Sequence, residues 1–215
     1  LFLGLFLYLL IRREFWLCFL TGSALASTDA ASVFSVLRSQ KLDLKENTAS
    51  ILELESGSND PMAYMLTLVC LSFLTGEADA GSILRLLTTQ IVFGIAIGAL
   101  CGLLSYRILK SVSFEVDGFD VIFIAGIALF SYALSAALGG NGYLSTYLTG
   151  IILGNVKMGG KKHIVHFFDG LTGLMQMAVF FLLGLLATPS LLPGVLMSAV
   201  SVFLFLTLIA RPLAV

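Results

Sequence analysis

Apolar stretches of about 20 residues follow one another along almost the whole chain, separated by short charged segments. That length suits a helix crossing the roughly 30 Å hydrocarbon core of a bilayer. No ordinary soluble domain combines 58% hydrophobic with only 12% charged residues, or reaches a mean hydropathy of +1.01. The chain is therefore predicted to be an all-α, polytopic transmembrane protein. The net charge of −1 supplies no basic field, so no nucleic acid partner is expected. Cys18, Cys70 and Cys101 all fall in apolar spans without CxxC spacing. They read as small buried hydrophobes rather than disulfides or metal ligands.

About eight spans are expected. They are residues 1–11, Phe15 to about Leu37, about Thr48 to Leu74, about Ile83 to Leu109, about Phe119 to Leu138, a short one from Tyr143 to Val156, about Phe168 to Ala187, and Leu196 to the end. Gly139 to Gly142 is a turn, and Lys157 to His166 reads as a basic loop, amphipathic and solvated, with pH sensing by His163 and His166 the alternative. Gly94, Gly98 and Gly102 recur every four residues, a spacing that lets another helix approach closely. The chain does not begin with Met and both ends lie in apolar runs, so it reads as an internal part of a longer membrane protein. Alternating loops put Arg38, Lys41, Lys45, Arg107, Lys110, Lys157, Lys161 and Lys162 on one side and Arg12, Arg13 and Arg85 on the other. The first side is cytoplasmic by the positive-inside rule.

Against this apolar background, Glu55-Ser56-Gly57-Ser58-Asn59-Asp60-Pro61 stands out in the third span. An ionised residue at the centre of a membrane helix costs roughly 2.5–3.5 kcal/mol on insertion scales, so it marks a functional site by default. Residues four apart share a helix face, which sets Ser56 beside Asp60 and Glu55 beside Asn59 on adjacent ridges. Pro61 has no N–H, so the Gly57 carbonyl loses its helical partner. A hydroxyl, a carboxylate and a free carbonyl form an oxygen set suited to a hard cation. The plainer reading is a buried polar knot that holds helices together.

Ser27-Thr28-Asp29 interrupts the second span. Asp29 lies about 18 Å of helix from Lys41, and Asp60 about 22 Å from Lys45, so both aspartates fall near the same depth, close to the bilayer middle. Two polar interruptions meeting there have the form of the broken helices of secondary transporters. Asp29 either compensates a helix N-terminus or accepts from Asn59, or is a cap with no role toward substrate.

Thr28-Asp29, the Glu55–Pro61 motif, the Gly139–Gly154 stretch, Phe168-Asp169-Gly170 and Ala210-Arg211-Pro212 together resemble the NhaP-type cation:proton antiporters, closest to the potassium/proton-exchanging subgroup. The resemblance implies a partial sodium/hydrogen exchanger domain over residues 1–215, with the family's first and last helices missing and broken helices crossing at the ion site. It implies that Asp60 alternately binds proton and cation and that Ser56 and the Thr28 carbonyl help to coordinate the cation. Asn59 and Asp29 would hold the helix crossing, and Glu55 would form a structural ion pair with Arg211. Ala30 stands where many sodium exchangers carry Pro, which leaves K+ or Na+ open. The implied protein is not an enzyme and uses no cofactor. It transports H+ and K+ or Na+, sits as a multi-pass protein in the cell membrane, as in a bacterial inner membrane, and forms a homodimer at full length. With Asn at position 59, one titrating group sits at the site, so exchange would be electroneutral. The competing expectation is an intramembrane aspartyl protease using Asp29 and Asp60, although its Gly-x-Gly-Asp fingerprint is absent: Gly57-Ser58-Asn59 precedes Asp60. A passive channel is disfavoured because no pore-loop repeat is visible.

Overall fold

A computed structural model of the protein describes residues 2–28, 48–76, 78–111, 118–156 and 161–214. Among them the regular elements are helices: α1 Phe2–Ile11, α2 Phe15–Ala26, α3 Thr48–Leu74, α4 Ala80–Ser111, α5 Phe119–Ala137, α6 Gly142–Asn155, α7 Lys161–Leu186, α8 Leu192–Phe205 and α9 Arg211–Ala214. Among the described residues, four stretches are long and apolar enough to cross a membrane: Ala80–Ser111, Phe119–Ala137, His163–Leu186 and Pro189–Leu213. The 27-residue α3 carries the polar motif instead.

Local chemistry explains where the helices start and stop. Asp79 opens α4: its Oδ2 accepts from the Gly81 N–H (3.2 Å), while its own N–H donates to Ser82 Oγ (3.0 Å). This reciprocal cap satisfies N–H groups at the helix start. Gly139, at φ +78°, takes the left-handed turn that ends α5. Asn141 then caps α6, its side chain accepting from the Leu144 N–H at 3.0 Å. Near the other end, Pro212 brings no N–H to the ladder. Just before it, residues Leu206–Ala210 form a π-turn in which the Arg211 N–H donates to the Leu206 carbonyl.

Several element limits differ from the sequence expectation. Helix α7 begins at Lys161, so Lys161 to His166 are helical rather than loop, and His163 and His166 lie exposed on its first turns. The last span starts at Pro189 with a 3-10 turn, not near Leu196, because Pro at the first helical positions fits a helix start. Helix α3 runs unbroken through Pro61. The interruption expected in the second span is seen at its start: α2 stops at Ala26 and Ser27 is extended, at φ −63° and ψ 143°.

Helix α6 is the hub of the packing, lying against α3, α4 and α5. The glycine stripe of α4 makes this possible. A Cβ at Gly94 would sit 3.1 Å from the Asn141 carbonyl oxygen, one at Gly98 only 2.6 Å from that of Ser145, and one at Gly102 2.7 Å from Ile152. The stripe is therefore a packing device. On the other flank of α6, Ser131 of α5 bonds Ser145 (2.7 Å) and Thr149 (3.0 Å), and Thr149 donates on to the Gly98 carbonyl (3.1 Å). All three hydroxyl residues are buried and mutually satisfied. Helix α2 packs along α3, with Trp16 stacked on Phe73 at 3.6 Å. That stack puts the Arg12–Glu14 turn and the turn after Leu74 at the same end of the molecule. The three cysteines are free and buried.

Candidate ion site at the break in α2

Beyond the end of α2, Ser27 and Thr28 lie against the motif of α3, and among the described residues four hydrogen bonds define the meeting point. The Ser27 hydroxyl donates to Asp60 Oδ1. Thr28 Oγ1 donates to Ser56 Oγ at 3.2 Å. The Asn59 amide uses both of its hydrogens, one to Thr28 Oγ1 at 3.2 Å and one to Glu55 Oε1 at 2.7 Å. Helical periodicity accounts for the last of these, since Glu55 and Asn59 are one turn apart on one ridge. The others exist because α2 stops where it does. Two residues freed from helical geometry turn their hydroxyls toward the neighbouring helix instead of back to their own carbonyls.

The elements around the motif complete the site. Ser56 is buried at 5% exposure, Glu55 and Asn59 are half-buried, and Asp60 is exposed. Asp60 opens on a cleft of about 410 Å³ bounded by Pro61, by Ala128 and Tyr132 of α5, and by Tyr143, Thr146 and Tyr147 of α6. Gly57 has no room for a side chain there, because a Cβ would lie 2.3 Å from the Tyr147 ring. Along α3, Asp60 is 12 residues from Thr48 and 14 from Leu74, about 18 Å and 21 Å, which is mid-helix.

The Asn59 amide ties Thr28 to Glu55, Thr28 reaches Ser56 and Ser27 reaches Asp60, and among the described residues no group of three or more His, Cys, Asp or Glu could hold a metal ion. Two carboxylates and three hydroxyls make an all-oxygen set suited to a hard cation or a proton, and Asp60 is the carboxylate that opens on the cleft. Of the residues singled out in the sequence, Thr28, Glu55, Ser56, Asn59 and Asp60 come together here. Asp29 lies outside the described residues. Arg211 is not brought to Glu55: it is exposed at the start of α9, which packs on the π-turn before it, and Glu55 takes its hydrogen bond from Asn59. Sequence reasoning passed over Ser27, although the Ser-Thr-Asp run contained it. It also passed over Asn141, read only as part of a turn, whose Nδ2 donates to the Pro61 carbonyl at 3.0 Å.

Four membrane-length stretches among the described residues, with the shorter apolar α2 stopped at a polar break that docks on a mid-helix carboxylate, define a multi-pass membrane protein with a carboxylate-bearing oxygen site. Comparison with known proteins narrows the class. The sodium/hydrogen exchanger transmembrane family matches residues 1–215, and the chain belongs to that family. It is 39% identical over 199 residues to the K(+)/H(+) antiporter NhaP2 of Shewanella oneidensis, covering 91% of this chain and 34% of that protein. It is 38% identical over 197 residues to the K(+)/H(+) antiporter NhaP of Alkalimonas amylolytica, with the same coverage. The probable Na(+)/H(+) antiporter 2 of Methanocaldococcus jannaschii is 29% identical over 209 residues, 48% of its length. The chain thus spans about a third of the length of the first two relatives.

Proposed function

We propose that the protein is the ion-binding part of a secondary transporter that exchanges a monovalent cation, K+ or Na+, for a proton across the cell membrane. The observation that carries this is the docking of Ser27 and Thr28 on the Ser56–Asp60 turn, which bonds the Ser27 hydroxyl to the Asp60 carboxylate and brings the Thr28 and Ser56 hydroxyls to the same turn. A carboxylate holds either a proton or a cation, and a bound cation favours its ionised form. Proton and cation therefore compete for Asp60. If access changes sides only when Asp60 is neutralised by one or the other, the two are exchanged. Ser56 and Thr28 contribute oxygens to the cation, Asn59 ties the α2 break to α3, and Asp29, beside the break, supports the crossing. With Asn59 neutral, one proton moves against one cation and no net charge crosses. The relatives named as potassium/proton antiporters support K+ as a substrate, and the full-length protein is proposed to act as two copies in a cell membrane.

The test uses the full-length protein in proteoliposomes loaded with a pH-sensitive dye. Imposed K+ or Na+ gradients should drive proton flux in the unsubstituted protein. Asp60→Asn keeps hydrogen-bonding capacity, removes titration and should abolish the flux. Flux retained by Asp60→Asn, or a rate that changes severalfold under a valinomycin-clamped potential, would contradict the mechanism.

A further inference from the structure

The α3 turn that carries Asp60 is held from behind by α6. Asn141, at the start of α6, is completely buried, at 0% exposure. A buried amide persists when its donors and acceptors are all used, and this one is used across three helices. Its Oδ1 accepts from the Leu144 N–H of α6 at 3.0 Å, and its backbone N–H donates to the Gln90 carbonyl of α4 at 3.0 Å. Its Nδ2 donates to the Pro61 carbonyl of α3 at 3.0 Å.

The cap on α6 does not require an amide, because Ser or Asp caps a helix as well as Asn. What the amide adds is a donor on a second atom, free to reach outward while Oδ1 caps, and that donor goes to the residue that follows Asp60. That is also where the backbone most needs an external hold, since the Pro61 ring removes a rung of the ladder. Six residues further along α6, Tyr147 lies against Gly57, whose carbonyl is the one Pro61 leaves without its helical partner. Helix α6 therefore grips both ends of the turn in which Asp60 sits.

We propose that Asn141 is a positioning residue for Asp60. Through the Pro61 carbonyl it fixes the backbone from which the carboxylate reaches Ser27 and the cleft, so the cation meets a preformed set of oxygens. This rests on the reading of Asp60 given above. A loosened turn must be ordered by the incoming ion, which weakens binding without changing the groups that bind.

The experiment compares Asn141→Asp and Asn141→Ser in the full-length protein in proteoliposomes. Initial exchange rates are measured against K+ and Na+ concentration. Both variants keep a capping side chain; Asp has no amide donor, and the Ser hydroxyl stands one bond short of the Asn Nδ2 that reaches Pro61. Both should raise the apparent KM for the cation about five- to tenfold with turnover within about twofold, the signature of lost binding rather than lost chemistry. Asn141→Asp should be the worse, because two acceptors then face each other. Unchanged KM in both variants overturns the proposal. So does a fall in turnover at unchanged KM. Failure of both variants to accumulate in the membrane makes Asn141 a folding residue and overturns it too. Exchange that survives Asp60→Asn in the same preparation would instead remove the underlying reading of Asp60, and the proposal with it.

Discussion

Gly98→Ala is the sharpest test of how the helices are held together. The added Cβ would lie 2.6 Å from the Ser145 carbonyl oxygen and 3.0 Å from Ser145 Cα and Leu148 Cβ, where ordinary contact begins at 3.4 Å. The nearest obstacle is backbone, so no rotamer change relieves it, and α4 and α6 must part by about 0.8 Å. The Thr149 Oγ1 bond to the Gly98 carbonyl, now 3.1 Å, would stretch to about 3.9 Å and be lost. Forcing a methyl into a packed interface costs about 1–3 kcal/mol, and the lost hydrogen bond about 0.5–1.5 kcal/mol. Alanine returns about 0.5–1 kcal/mol in a helix interior. The net loss is about 2 kcal/mol, or a melting temperature lowered by roughly 4–8 °C for a chain of this size. Gly126→Ala is the control, since a Cβ at Gly126 meets nothing within 4 Å. It should melt at or above the parent. Thermal unfolding of the purified protein in detergent measures both. Equal melting temperatures for the two variants would refute the close-approach argument.

Two further expectations concern side chains whose roles the structure defines. Glu55→Ala leaves an Asn59 hydrogen without its 2.7 Å acceptor and should cost about 1.5 kcal/mol in the same assay, the low end for a bond to a charged group because Glu55 is half-exposed. Glu55→Gln keeps an acceptor oxygen and should lose less. Arg211→Met should leave the melting temperature unchanged, whereas a loss as large as that of Glu55→Ala, and non-additive with it, would restore the Glu55–Arg211 ion pair expected from the sequence. Cys18, Cys70 and Cys101, at 4%, 5% and 4% exposure, should resist a membrane-impermeant maleimide in the folded protein and react after denaturation. Peptide mass spectrometry reads this, and rapid labelling of folded protein at any of the three would contradict the packing described.

Relations within one helix were legible from the sequence, because they follow from the repeat of 3.6 residues per turn. The length of the apolar runs set the membrane class. The four-residue spacing set the Glu55–Asn59 bond and the glycine stripe on α4, and the mid-helix depth of Asp60 followed from counting residues. Relations between helices were not legible in the same way. Which faces meet depends on how whole surfaces of side chains fit, and no local rule contains that. Ser27, rather than a residue of the motif, reaches Asp60 because the extended backbone at Ser27 turns its hydroxyl across to α3. Glu55 is satisfied by its own helix and not by Arg211, since α9 packs elsewhere. Asn141 read as turn chemistry in the sequence, and the turn is real. Only the approach of α6 along the glycines of α4 carries that amide to the Pro61 carbonyl, 80 residues away in the chain, beside the carboxylate on which the proposed exchange depends.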